Sequence, residues 1–444
     1  MSPTFRALRV RNYRVYASGA VVSNTGTWMQ RVAQDWLVLL LSGGSGAALG
    51  ITTGLQFLPA LLLSPFAGVV ADRFSKQRVL VLTQLAMAVP AALLGVLAVT
   101  GYATTTWVYV LALVLGVGFA FDAPARQSFV VEMVGPDDLA NAVGLNSASF
   151  NAARVVGPAL AGLLIALGGS DVNATGWVIL ANAVSYLAVV WSLTRLHTAD
   201  LHPSTPVERG RGAIRAGVRY VRGRPDIMLI LAVVFFAGTF GLNFQLTSAL
   251  MATEVYGKGA GAYGVLGSFM AVGSLAGALI AARRSQPRVR LVVGAAVAFA
   301  LVETAAGLMP TYVWFALWVP LVGLTALTMI TAANATIQLT VDPQMRGRVA
   351  ALYLMIFIGG TPIGSPFIGW LGDVAGARWT LMGGGLITLT GVLASVAVYA
   401  RSSGLVVRPA LGRHPRLSVT TRQEALARES GTEAESSPTG VMAS

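Results

Sequence analysis

Gln30, Arg31, Gln34 and Asp35 recur at intervals of three and four residues, a spacing that stacks them on one face of a helix. Asn24 and Thr27 extend the same polar stripe, and the surrounding segment, residues 14–41, is otherwise largely apolar. A carboxyl in such surroundings is tolerable when ionised and paired, and it releases its partner when protonated. Asp35 could therefore couple proton uptake to a change of conformation, with Arg31 one turn away and Arg154 from a later segment as partners. A static salt bridge that only orients the segment is the alternative, and the sequence leaves both open. Glu303 is the next candidate for the same proton, against the plainer role of a buried structural carboxyl.

The elements that must position these groups follow from composition and periodicity. Of the 444 residues, 55% are hydrophobic and only 11% charged. A soluble domain carries roughly 25% charged residues, so most of this surface must face lipid. Apolar segments recur near 14–41, 47–71, 78–101, 105–128, 139–168 and 174–195. A second set runs near 227–252, 260–282, 290–310, 312–336, 347–371 and 378–401. About 20 apolar residues cross a bilayer, and backbone in lipid must satisfy its own hydrogen bonds, so each segment is expected as a helix. The fold class is an all-α polytopic membrane protein, with twelve spans in two sets of six.

The expected organisation is a first bundle over 1–195, a linker over 196–225, a second bundle over 226–402 and a disordered tail over 403–444. In the linker, Ile214, Val218 and Val221 recur at helical spacing among arginines, which predicts an amphipathic helix on the membrane surface. The tail is polar and rich in Ser, Glu and Arg. The N-terminal segment is too long and polar for a signal-peptide core and reads as an uncleaved first span.

The formal net charge is +13. Its distribution explains it. Arg6 to Arg14, the Arg73–Arg78 loop, Arg126, the arginines of 195–224, those of 283–290, and Arg346 and Arg348 all fall on one side of the alternating spans. The other side holds only Lys258 and Arg378. Positive residues stay inside, so both termini are expected in the cytoplasm, and nucleic acid is not needed as a partner. There are no cysteines, hence no disulfide and no thiolate metal site. His197, His202 and His414 lie in polar segments, which leaves no histidine relay within the spans. No phosphate-binding GxxxxGK[ST] loop is present. Neither an enzyme nor a bound cofactor or metal is expected.

Two stretches and one repeat carry more specific information. Between spans two and three stands Gly68-x-x-x-Asp72-Arg73-x-x-Lys76-x-Arg78. Glycine lets helix ends approach closely, and a carboxylate such as Asp72 is favourable at a helix N-terminus. Arginines alone would satisfy topology, so Asp72 argues for a gate. Span five carries Ala153-Arg154-Val155-Val156-Gly157-Pro158-Ala159-Leu160-Ala161-Gly162. The proline kinks the helix and its small neighbours allow tight packing. Val134, Pro136, Leu145, Gly157 and Gly162 recur at an offset of 207 as Val341, Pro343, Leu352, Gly364 and Gly369. Such parallel repeats are found in transporters.

The loop at 68–78 resembles motif A of the major facilitator superfamily, with Ser75 in place of a glycine. The span-five stretch resembles that superfamily's antiporter motif C, with Ala153 and Ala161 in place of two glycines. Together with DAPARQSFVVEMV and the linker GAIRAGVRYVRGRPD, they resemble bacterial exporters of the enterobactin-exporter and macrolide-efflux type. The resemblance implies the major facilitator fold and alternating access. It also implies export of a small lipophilic or siderophore-like molecule in exchange for protons, by a monomer in the bacterial inner membrane. It implies a gate of Gly68, Asp72, Arg73, Lys76 and Arg78, with Asp72 capping span eleven near Gly347 and Lys76 pairing with Asp122. Gly157, Pro158 and Gly162 would belong to the same machinery. In the family, spans one, four, seven and ten line the cavity. Here that would bring in Asn24, Gln30, Gln34, Phe240, Asn243, Phe244, Thr247 and Thr328. Two departures stand out. Span four lacks the motif B arginine, and in the second-half loop after Gly277, Ala281 replaces the acid beside Arg283 and Arg284. An importer of the same fold, or a non-transporting sensor, remains as the alternative function.

Overall fold

The computed structural model describes residues 3–202, 213–282, 288–402, 405–410 and 416–421. The first bundle contains α1 (Arg11–Ser42), α2 (Gly46–Arg73), α3 (Lys76–Val99), α4 (Thr105–Met133), α5 (Pro136–Leu167) and α6 (Val172–Thr194). After α7 (Ala213–Arg222), the second bundle contains α8 (Pro225–Phe236), α9 (Phe244–Leu250), α10 (Ala260–Ala282), α11 (Val289–Ala306) and α12 (Tyr312–Thr340). It is completed by α13 (Arg346–Gly359), α14 (Thr361–Ala375) and α15 (Ala377–Ser402). Among the described residues eleven helical segments are long and apolar enough to cross a membrane, with Pro225–Val255 and Arg346–Ala375 each counted as one. The twelfth is α1, whose 32 residues are long enough. Its polar stripe is what lowers its hydropathy. Leu82 and Val89 on α3, each 66% exposed, show the lipid-facing surface that the low charge content requires.

Span seven is not one continuous helix. α8 runs into a π-helical turn, Ala237–Gly241, before the chain restarts as α9, and a second π turn, Met251–Val255, follows. Irregular backbone at membrane depth needs internal partners. Asn243 supplies them: its Nδ2 donates to the carbonyls of Thr239 at 2.9 Å and Phe240 at 3.2 Å, and its Oδ1 accepts from Ser365 Oγ at 2.7 Å. Span eleven is likewise divided, at Gly360, with Pro362 and Pro366 in its second part.

Two expectations change outside the bundles. The linker helix exists as α7, but its apolar side lies on protein instead of lipid. Val221 is buried in the core, and Gly217 sits against Arg348 and Leu352 of α13. The hydroxyl of Tyr220 accepts from the backbone N–H of Asp342 at 3.3 Å, which fixes α7 to the second bundle. Such a short helix gains more from a packed face than from the lipid interface. In the tail, Leu405–Ala410 and Arg416–Thr421 pair as antiparallel strands β1 and β2, where disorder was expected. The valines and threonines of both segments suit strands. The rest of the tail and the Arg283–Arg284 loop lie outside the described residues.

Candidate functional site

Below, the end of the molecule where α1 begins is called proximal and the opposite end distal. The two bundles meet along α2–α14 and α5–α10. The contacts that join them gather in the distal half of these helices. A Cβ on Gly369 would strike the carbonyl oxygen of Gly46, and one on Gly50 would strike that of Ser365. On the other side a Cβ on Gly264 would strike the Pro158 carbonyl oxygen, and Gly162 lies against Ala260 and Gly261. Only glycine permits backbones this close. Gly162 and Gly369, partners in the 207-residue repeat, therefore occupy equivalent places in two seals. Asp373 locks the first seal. It accepts from the backbone N–H of Gly46 at 2.5 Å and Ala47 at 3.0 Å, and from Ser45 Oγ at 2.9 Å. A carboxylate at a helix N-terminus is favoured by unpaired N–H groups and by the helix dipole. α13, which extends α14 toward the proximal end, makes far sparser contact with α2. The interface is thus closed distally and looser proximally.

Asp35 sits in this closed zone. Its carboxyl is 7% exposed and accepts a 2.6 Å hydrogen bond from the hydroxyl of Tyr263 on α10. This bond crosses between the bundles. The expected partner Arg31 makes no ion pair with it within 4.0 Å, although the two charges still act on one another. Its guanidinium lies 4.7 Å from the ring centre of Trp28 and 5.8 Å from that of Phe57. Arg154 does not reach Asp35 either, and lies 5.6 Å from the Trp28 ring. A fixed helix face explains both. Trp28 stands one turn before Arg31, and its Cβ is where α5 touches α1 at Gly157. Sequence spacing could have shown the Trp28–Arg31 pair, but nothing in the sequence points to Tyr263, 228 residues from Asp35.

The proximal loop departs from expectation in one respect. Lys76 pairs with Glu132, not Asp122, and both side chains are largely buried. Asp122 lies ten residues deeper on α4, about 15 Å along the helix axis. There it accepts from Arg126 Nε at 2.8 Å, Thr83 Oγ1 at 3.0 Å and Gln84 Nε2 at 2.7 Å, so its oxygens are already occupied. Glu132 is level with Lys76 at the proximal end. Glu132→Gln is expected to lower stability by about 3 kcal/mol, because it removes a paired carboxylate from a largely buried ammonium. The double variant Lys76→Met with Glu132→Leu should recover most of that loss. Thermal unfolding of the purified variants checks both. Asp72 is half-buried at the end of α2, while Arg346, Gly347 and Arg348 at the start of α13 are exposed.

Several expected cavity residues are occupied elsewhere. Gln30 accepts from Asn182 Nδ2, and Gln34 donates to Gln56 Oε1 at 3.4 Å, both inside the first bundle. Asn243 plugs the break in span seven, and Thr247 is fully buried, bonding its own helix at Phe244. Thr328 lies in a cleft between α11 and α12 with Leu324 and Thr325, away from the bundle interface. Buried amides and hydroxyls must find partners, and here packing within each bundle supplies them. Asn24, Phe240 and Phe244 remain half-buried, with Phe240 edge-on to Phe367 at 5.8 Å. Glu303 is 1% exposed, lies against Phe299 and Gly241 of the π turn, and leaves its Oε2 without a hydrogen bond. It is remote in the fold from Asp35, on the other side of the second bundle's packing.

A family model described as transmembrane secretion effector matches residues 2–417. The multidrug efflux pump Tap of Mycolicibacterium fortuitum is 29% identical over 402 residues, covering 88% of this chain and 96% of that protein. The staphyloferrin A transporter of Staphylococcus aureus is 23% identical over 387 residues, covering 85% and 94%. Among solved structures, a bacterial homolog of the human lysosomal transporter Spinster, inward-facing and unoccupied, superposes with a TM-score of 0.66. It is 15% identical and covers 87% of this chain and 96% of that one, a likeness that speaks for the fold. With twelve spans, paired glycine seals and a match over nearly its whole length, the chain belongs to the transmembrane secretion effector family of the major facilitator superfamily.

Proposed function

We propose that this protein is a secondary active exporter that moves a small apolar or siderophore-like molecule out of a bacterial cell in exchange for protons. The observation that carries the reading is the Asp35–Tyr263 hydrogen bond, which places a buried carboxyl across the interface that must open and close. Ionised, Asp35 holds α1 to α10. Protonated, it loses most of the charge that strengthens the bond, and the distal seal is free to part. A proton is thus linked to one conformation, and its release to the other. The named relatives, an efflux pump and a siderophore transporter, support the direction and the class of cargo. The charge asymmetry of the loops supports a cytoplasmic proximal end with both termini. The conformation seen would then be inward-facing.

Everted vesicles energised by respiration test the reading. Accumulation of a siderophore, macrolide or dye inside them, dependent on the proton gradient, is the expected result. Its absence across that panel would count against export. Orientation has its own test, since the native chain has no cysteine. Ser204→Cys should resist a membrane-impermeant thiol reagent in whole cells and react in everted vesicles, and the reverse pattern would overturn the topology. Tyr263→Phe removes the donor to Asp35 and should reduce uphill transport about tenfold, the worth of one hydrogen bond to a charged group. An unchanged rate would remove Tyr263 from the cycle.

A further inference from the structure

We infer that Arg31 and Arg154, set around the Trp28 ring, form the binding site for an organic anion with an apolar body. The inference rests on the exporter reading only for what the site is used for. Two guanidiniums at membrane depth ordinarily each find a carboxylate, because an uncompensated charge there is costly. Here neither does. Among the described residues, no ion pair within 4.0 Å joins Arg31 or Arg154 to an acid, and neither guanidinium donates a hydrogen bond to another side chain. Asp35 is the acidic group nearest Arg31 on its own helix, and it is engaged by Tyr263. With all three groups ionised, the cluster carries one positive charge in excess. Aromatic faces line both guanidiniums: each lies within 6 Å of the Trp28 ring centre, and Phe57 lies 5.8 Å from Arg31.

The cluster is packed over on its distal side and partly exposed. One turn distal to Arg154, Pro158 packs on Gly264 and Gly267, which closes the space above. Ser268 Oγ donates to the Val155 carbonyl at 2.5 Å, in the same closure. One turn proximal, Phe150 is 47% exposed and meets the Trp28 ring edge-on at 5.8 Å. Both arginines are half-buried. A ligand entering from the proximal side would meet Phe150, then Trp28 and Phe57, with the two guanidiniums at the top. Arginine presents a planar fork of donors suited to carboxylate or phosphate oxygens. The aromatic walls would take the apolar part of the same molecule. An organic cation would meet like charge in the same place.

Two fluorescent probes of equal body and opposite head test the site. They are 11-(dansylamino)undecanoate and the corresponding terminal amine, titrated onto the purified full chain in neutral detergent. The carboxylate should bind saturably and at least tenfold more tightly than the amine. Arg154→Gln and Arg31→Gln should each weaken carboxylate binding about tenfold, the range of a lost charge-assisted bond. Arg154→Lys, which keeps the charge, should retain most of it and serves as the control for folding. Absent saturable binding, equal binding of the two probes, or unchanged affinity in the Gln variants would each overturn the inference. Phosphatidylglycerol mixed into the micelles separates two sources of the anion. Displacement of the probe assigns the site to a lipid headgroup, and failure to displace assigns it to a soluble anion. No gradient enters this measurement, so failed transport in vesicles with intact anion binding would count against the exporter reading and leave the site standing.

Discussion

Replacing Asp35 by Asn is expected to abolish gradient-driven efflux while leaving substrate binding and downhill exchange largely intact. The amide has nearly the shape of the protonated acid and can keep a contact with Tyr263, so the bundles can still meet at α1 and α10. What it cannot do is change charge. The cycle then loses the only step at which proton and conformation are linked at this interface, and uphill transport fails even though the protein still alternates. Counterflow and gradient-driven uptake, measured in the same vesicles, separate the two activities. Normal uphill transport by Asp35→Asn would make Asp35 structural and pass its role to Glu303. Loss of counterflow as well would point to misfolding or a role in binding. Asp35→Glu, which retains a titratable carboxyl, should recover part of the driven flux.

The second large effect concerns the glycine seals. Gly369→Leu is expected to hold the distal interface open. Its new side chain would have to enter the space already taken by the Gly46 carbonyl and the Ala47 N–H. Both neighbours are backbone, so no rotamer change relieves the clash. Overpacking of this kind costs about 1–3 kcal/mol, or roughly tenfold to a hundredfold in the ratio of closed to open states. The same substitution displaces α14 and with it Asp373, which caps α2 through three hydrogen bonds. The other seal reports the change. Spin labels at Leu167→Cys and Lys258→Cys, both at exposed distal positions, should give short distances in the parent and long ones in Gly369→Leu. An unchanged distance distribution together with unchanged transport would mean the seal is not part of the cycle.

The spans were legible because lipid leaves the backbone no alternative to helix, and the apolar segments show it directly. Of the spans, only α1 fails the simple length-and-hydropathy test, and it does so because of the polar stripe at 24–35. The 207-residue repeat was also informative. Gly162 and Gly369 proved to be contact points of the same kind, since the fifth span of each bundle meets the second span of the other, while Gly157 and Gly364 each meet the first span of their own bundle. Partner choice was not legible. Lys76 takes Glu132 over Asp122 because depth along α4 decides reach, and depth depends on where the helix starts. Gln30, Asn243 and Thr247 look like cavity polar groups by type, yet each is consumed by packing inside its own bundle. Tyr263 and Asp373 act across the bundle interface, where no local pattern connects the two sides.

Coupled export makes proton movement and substrate movement one process, which a pH-sensitive dye measures directly. Everted vesicles are energised until their lumen is acid and acridine orange is quenched, and the compound selected by the vesicle screen is then added outside. Coupled export predicts immediate partial recovery of fluorescence as protons leave in exchange for substrate. It also predicts no recovery with Asp35→Asn, and loss of substrate accumulation when nigericin collapses the pH gradient. Accumulation that persists in nigericin, with no dye response on adding substrate, would contradict the account.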